Sequence, residues 1–318
     1  MVIRGIQKRV LIVCILTILA IITVFLVLRV FATDITNSLE PRYILCIPQG
    51  GIIDMCNAIL RCHKYAVSTN RILLIDTTTG WFNDDINEYI QIHSPYVYTG
   101  HPATLYEKIK DKSIYPKGIN LMDIKAPVNR DNKFYMDDTL VTYDLNREFN
   151  ETVLVYSMFR LGEPGFTELL QFCSFSKIVV DAYKKTRARL PKSYVSVHIR
   201  NTDYESNVAE FMEKHSSELE NKAIFLASDN KQTIDQFKER YGANLYSFAF
   251  IPDNGGKPIH ENYVRTKEES KKYNTETLVD ILLLAAADEY YYSNAQSGFS
   301  KTVTELRNDK RLLDRLIE

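Results

Sequence analysis

Short apolar runs rich in β-branched and aromatic residues recur along the chain, and stretches with helical spacing of apolar positions separate them. Residues 43–47 have the continuous apolar character of a buried strand and end in Pro48-Gln49-Gly50-Gly51. The pattern then turns helical over residues 53–66, and a second apolar run, 72–75, closes at Asp76. Strand, glycine turn, helix and strand in that order predict a βαβ unit. Residues 81–137 have no clear period, and only turns are assigned there, at His93-Ser94-Pro95, Gly100-His101-Pro102 and Tyr115-Pro116-Lys117-Gly118. Strands are expected at 139–143 and 152–158, and helical sequence over 166–190. The second half alternates more regularly, with strands at 194–199, 223–227, 244–247 and 289–292 and helices at 208–219, 231–241, 276–287 and 299–307. Such alternation predicts an α/β fold with parallel sheets covered on both faces, and the length predicts two units around a cleft.

The run 10–28 carries no charge, and at about 1.5 Å per residue a helix of that length matches a bilayer core. Arg4, Lys8 and Arg9 precede it, whereas Arg29, Asp34 and Glu40 follow, so the positive-inside rule leaves the short tail in the cytosol. A single-pass type II membrane protein of the secretory pathway, in the Golgi, is the expectation. The alternative is a cleaved signal peptide ending near Val30-Phe31-Ala32. Asn150-Glu151-Thr152 is a glycosylation sequon compatible with a lumenal location. Cys46, Cys56, Cys62 and Cys173 lie beyond the apolar run, as two disulfides or as buried thiols. Cys56 and Cys62 share a predicted helix but face different sides, so they are not expected to pair.

The 39 Lys and Arg balance 40 Asp and Glu, which gives no sign of disorder or of a nucleic-acid partner. Candidate chemistry concentrates at strand ends. The 194–199 strand delivers His198, Arg200 and Asp203 to the sheet edge, where ligands of open α/β sheets bind; an ordinary Arg200–Asp203 salt bridge is the plainer reading. Residues 293–300 join a strand to a helix whose first amides, near Ser297 to Ser300, favour a phosphate. Capping by Ser297 or Ser300 is compatible with that role. Arg200 and this helix start together suit a diphosphate. The chain contains no Asp-x-Asp pair for a divalent cation and no Cys/His spacing of a zinc site, so no metal or other cofactor is expected.

His198-Ile199-Arg200-Asn201-Thr202-Asp203, Leu226-Ala227-Ser228-Asp229-Asn230, the helix from Leu278 through Asp280 to Asp288, and Ser297-Gly298-Phe299-Ser300 resemble, in that order, the motifs of the GDP-fucose transferases. That superfamily includes α1,2- and α1,6-fucosyltransferases, rhizobial nodulation enzymes and protein O-fucosyltransferases. The resemblance is good over residues 194–307 and extends weakly to Gln49-Gly50-Gly51. It implies a GT-B architecture, two Rossmann-like domains facing a cleft, preceded here by one transmembrane helix. The expected organisation is a tail (1–9), a transmembrane signal anchor (10–31), a stem (32–42), an acceptor-side domain (43–185) and a nucleotide-sugar-binding domain (186–318).

The activity implied is metal-independent, inverting transfer of fucose from GDP-fucose to a glycan or protein hydroxyl. By the resemblance, Arg200 contacts the β-phosphate, and His198 and Asp280 lie near guanine or its ribose. Asp280 suits guanine because a carboxylate accepts from both the ring N1–H and the exocyclic amine. Ser297, Gly298 and Ser300 belong to the phosphate turn, and Gly50 and Gly51 to the glycine turn of the first half. Asp203 is a further donor-side candidate. Asp229 either approaches the nucleotide or caps the helix near Lys231. Asp54 is the candidate base, or simply a favourable acid at a helix start; Asn57, His63, His93 and His101 are weaker candidates. Relatives carry Arg or Lys where this chain has Asn201. The alternatives are the same machinery with another nucleotide sugar, or a membrane-anchored glycan-binding or scaffold protein that keeps the fold without catalysis.

Overall fold

The computed structural model describes residues 21–24, 40–78, 81–100, 102–119, 133–136, 139–142, 145–157, 165–253, 255–257 and 266–318. The expected signal anchor lies outside these residues apart from 21–24, as do the tail and most of the stem. Among the described residues no helix is long and apolar enough to cross a membrane.

Residues 43–318 form one compact unit containing two four-stranded sheets. The first holds β1 (Arg42–Cys46), β2 (Arg71–Ile75), β4 (Ile114–Tyr115) and β7 (Val153–Tyr156) in the order β2-β1-β7-β4, with β1 and β4 parallel to β7. The second holds β9 (Val195–Ile199), β10 (Ile224–Ser228), β11 (Leu245–Tyr246) and β12 (Glu289–Tyr292) in the order β11-β10-β9-β12, all parallel.

The central strands β1, β7, β9 and β10 are buried on two faces, which is why most of them read as continuous apolar runs. Tyr43 and Leu45 of β1 pack with Val153, Val155 and, from α2 (Pro102–Ile109), Leu105 and Ile109. Ile44 and Cys46 point the other way, into the main core beside Ile59 of α1 (Ile52–Ser68). On β9, Val195, Val197 and Ile199 join Phe211 and Phe237. The opposite face of that strand carries Ser196 and His198, both buried. The Ser196 hydroxyl reaches the Leu284 carbonyl at 3.0 Å, so this polar stripe is absorbed by the helices covering the sheet.

Several boundaries differ from expectation. The 166–190 stretch is two helices, α3 (Phe166–Leu170) and α4 (Lys177–Arg187), divided by β8 (Cys173–Phe175). β8 pairs antiparallel with β3 (Ile90–Ile92), placing Cys173 opposite Ile92 and Phe175 opposite Ile90. A tertiary partner overrides helical spacing here, and that partner lies in the interval without a period. Residues 208–219 divide at His215 into α5 (Val208–Lys214) and α6 (Ser216–Leu219). α7 (Lys231–Tyr241) matches its prediction, and β5 (Lys133–Met136) and β6 (Thr139–Thr142) form an antiparallel pair.

α8 (Lys267–Ala286) starts at Lys267 rather than 276, with Thr266 and Glu269 forming a reciprocal capping box. Its first turns are polar, so the apolar pattern marks only the later ones. α9 (Gly298–Asn308) is followed by an unexpected α10 (Lys310–Ile317), capped by Asp309, which accepts from the Leu312 amide at 3.0 Å.

Cys46, Cys56, Cys62 and Cys173 are free and buried. Burial pushes the Cys56 and Cys62 thiols well up, and that of Cys173 to about 12. Asn150 of the sequon is exposed.

Candidate functional site

A cavity of about 550 Å³ is lined from both halves. The second sheet contributes the residues after β9 and β10, one face of α8, and the start of α9. The first contributes the start of α1 and the segment after β2. This is the carboxyl-end location that open α/β sheets use for ligands.

His198 is 7% exposed, between Ala227 and Tyr292 in register. Its Nδ1 lies 2.8 Å from the Ser300 hydroxyl and its ring stacks on Phe299 at 4.6 Å. Burial, reinforced by the Arg200 charge, lowers its pKa to about 3, so the imidazole is neutral at physiological pH.

Arg200 is gripped by Asp203 through Nε to Oδ1 at 2.8 Å and Nη2 to Oδ2 at 2.7 Å. The expected salt bridge is therefore present. Both residues also line the cavity, and the guanidinium lies over the Tyr204 ring at 4.8 Å. Burial opposes the Asp203 charge, but the Arg200 hydrogen bonds and charge hold its carboxyl below the usual range.

The loop behind this pair is organised by Asp229. Its Oδ1 accepts from the Asn201 amide at 2.7 Å and its Oδ2 from the Thr202 hydroxyl at 2.6 Å. Burial raises its pKa, against those bonds. Asp229 is not the cap of α7. Asn230 is, accepting from the Gln232 and Thr233 amides at 2.8 and 3.2 Å. Asn201 turns to α7, donating to the Thr233 hydroxyl at 3.0 Å, and it is not among the cavity residues. The missing cation at 201 therefore sits at a position whose side chain here faces away from the cavity.

α9 begins at Ser297, which is 2% exposed. Ser297 occupies the N-cap position but makes no side-chain cap, and its buried hydroxyl has no partner among the described residues. The expected capping by Ser297 is therefore absent, and Ser300 is engaged with His198. The Gly298, Phe299 and Ser300 amides open the helix, where intrahelical acceptors are lacking. A Cβ on Gly298 would stand 3.2 Å from the Ile53 side chain, so the starts of α9 and α1 approach closely. Helix start, unpartnered hydroxyl and Arg200 together make the wall suited to an anion.

Asp280, on α8, lies half-buried on the cavity wall and makes no hydrogen bond with any described residue. Burial raises its pKa well above the carboxylate range, and Glu276 one turn earlier adds to the rise.

On the first-sheet side, Gly51 and Asp54 line the cavity. Gly50 does not; it makes the turn into α1 at φ 96°, a conformation that favours glycine. Asn57 lines the cavity but is committed to structure, accepting from the Gly165 amide at 2.6 Å. His63 and His93 bond Ser94 and Ser174, each at 2.8 Å, away from the cavity, and His101 lies outside the described residues. Among the described residues no cluster of His, Cys, Asp or Glu side chains is suited to a metal ion.

The structure of NodZ alpha-1,6-fucosyltransferase soaked with GDP-fucose superposes with a TM-score of 0.58 at 13% identity, covering 84% of this chain and 93% of that one. The fold is similar to that of NodZ. NodZ co-crystallised with GDP and NodZ from Bradyrhizobium align with the same TM-score, 0.58, at 12% and 11% identity. No family model matches the chain, and no curated protein matches its sequence.

The cavity residues that escaped the sequence reading include Trp81, Phe82, Tyr273 and Glu276. Trp81 and Phe82 follow β2, a strand the sequence already placed, so the carboxyl-end rule that singled out His198 applies to them too. Tyr273 was hidden by the late start assigned to α8, whereas Glu276 fell on the expected helix with nothing to mark it.

Proposed function

We propose that the chain transfers fucose from GDP-fucose to a glycan or protein hydroxyl, with inversion and without a metal. The observation that carries this reading is the buried, unpartnered Ser297 hydroxyl at the start of α9, on a cavity shared with Arg200. A diphosphate would satisfy that hydroxyl and the first amides of α9, and Arg200 would balance its charge. The carboxylate of Asp280 would take the guanine edge. The likeness to NodZ, solved with GDP-fucose and with GDP, supports the choice of donor.

In this reaction the acceptor oxygen forms a bond to the anomeric carbon as the bond to the β-phosphate oxygen breaks. GDP leaves with the bonding electrons, and the acceptor proton passes to a base. Asp54 is our candidate base, because it is the acid that lines the cavity from the first-sheet side. Residues 43–185 and 186–318 would be the two Rossmann-like halves of a GT-B enzyme. The uncharged run within residues 10–31 would anchor it as a type II protein of the secretory pathway, in the Golgi.

Titration calorimetry of the full chain with GDP in EDTA tests the donor reading. GDP should bind, and Ser297→Ala and Arg200→Ala should each weaken it. Equal binding by all three proteins would remove the reading. The engaged Arg200–Asp203 pair favours one other possibility, a protein that keeps the fold without turnover. It would show GDP binding independent of Arg200 and no sugar transfer.

A further inference from the structure

We infer that Trp81 and Tyr273 form the wall on which a pyranose ring of the acceptor stacks, so that the acceptor is a glycan. This rests on the fucosyl-transfer reading above. Trp81 is the chain's single tryptophan. It is half-buried, lines the cavity, and meets the Tyr273 ring edge-to-face at 5.1 Å and 85°. The wall is held from behind. Asn274 donates its side-chain amide to the Phe82 carbonyl at 3.0 Å, and Asn83 donates to the Ser270 hydroxyl at 3.3 Å. Phe82 is 2% exposed and packs on Tyr89 at 5.3 Å. The aromatic surface is thus preformed, which lowers the ordering cost of binding.

Its place in the cavity separates it from the donor groups. Tyr273 and Asp280 are seven residues apart on α8, which puts them on one face about 10 Å apart. Asp280, Ser297 and Arg200 occupy the second-sheet side, whereas Trp81 comes from the first-sheet side together with Asp54. A pyranose presents a face of C–H bonds and an edge of hydroxyls. It needs one aromatic ring face with hydrogen-bond acceptors beside it, and a ring of the perpendicular Trp81–Tyr273 pair, with Asp54 and Glu276 on the same cavity, supplies that combination. An extended peptide would need backbone partners along a sheet edge.

Because the chain has one tryptophan, its emission reports this wall alone. The test titrates the full chain in detergent, first with GDP and then with linear hexopyranose oligosaccharides or with Ser/Thr peptides of similar size. A saturable change in emission with an oligosaccharide and none with peptides is expected. Calorimetry, which needs no tryptophan, reads the variant: Trp81→Phe should raise the apparent Kd for that oligosaccharide about tenfold, the scale of one aromatic contact, while its GDP affinity stays within about twofold of wild type. If GDP produces the whole change and oligosaccharides add nothing, the wall serves the donor and the inference is wrong. A response to peptides alone overturns it equally. Failure of GDP to bind, with the oligosaccharide response intact, would remove the donor reading and leave the wall standing.

Discussion

Arg200 and Asp203 share two parallel hydrogen bonds, and Nη1 is the edge of the guanidinium that this pairing leaves without a partner among the described residues. The pair therefore fixes the orientation of the cation while keeping one donor edge for a ligand. In the proposed reaction Asp203 would act on the ligand through Arg200, as a positioning residue.

Arg200→Ala should weaken GDP binding by about 10- to 100-fold, the range for a charge-assisted hydrogen bond. Asp203→Ala should cost less, about three- to tenfold, because the guanidinium survives but loses its fixed direction. Calorimetry on both single variants and the double variant checks this. In the Arg200→Ala background, Asp203→Ala should change little; additive losses would mean that Asp203 touches the ligand itself.

In the proposed reaction Asp280 should make donor binding pH-dependent. Its raised folded pKa means that the native state holds a proton the unfolded chain gives up. Its contribution to stability is complete below the unfolded carboxylate pKa and is lost as pH rises through the folded value. Guanine requires the ionised form, so GDP binding should release a proton and tighten with rising pH until Asp280 is ionised. Calorimetry in buffers of different ionisation enthalpy measures that release. Asp280→Asn should abolish the pH dependence and weaken GDP binding, while the ligand-free protein at pH 8 melts higher by about 2–4 °C, the scale of a 1 kcal/mol gain in a chain of this size.

His198 should add no limb to a pH–rate profile between pH 5 and 8, since its folded pKa lies near 3. Between that value and the unfolded value of about 6.5 the unfolded chain binds more protons, so stability rises with pH through this window and is complete above it. Ser300→Ala leaves Nδ1 unpaired beside Phe299 and should cost about 1–3 kcal/mol in denaturant unfolding. A neutral effect would show that the Ser300 bond is dispensable.

The four described cysteines should resist thiol reagents in the native protein and react after denaturation, because burial raises the pKa of Cys56, Cys62 and Cys173. Mass spectrometry of alkylated protein, with and without denaturant, checks this.

The chain alone disclosed most strands of the two four-stranded sheets and the strand-end residues His198, Arg200 and Asp203, because buried strands and short glycine turns leave local patterns. Ser297 was reached as the start of a helix after a strand, and Asp280 through motif resemblance. β3 and β8 were invisible because each has only three residues and the two pair across more than eighty positions of sequence. The early turns of α8 were missed because their stability comes from a capping box rather than an apolar stripe. Sequence also left Asp229 open between the nucleotide and the cap of α7; the side-chain geometry gives the cap to Asn230.

The most direct measurement is GDP release by the full chain in EDTA, with GDP-fucose, other nucleotide sugars and a panel of glycan acceptors. Our account predicts release from GDP-fucose that requires an acceptor and is lost in Arg200→Ala. Release from a different nucleotide sugar only, or none from any donor by a folded protein that binds the oligosaccharides, would contradict it.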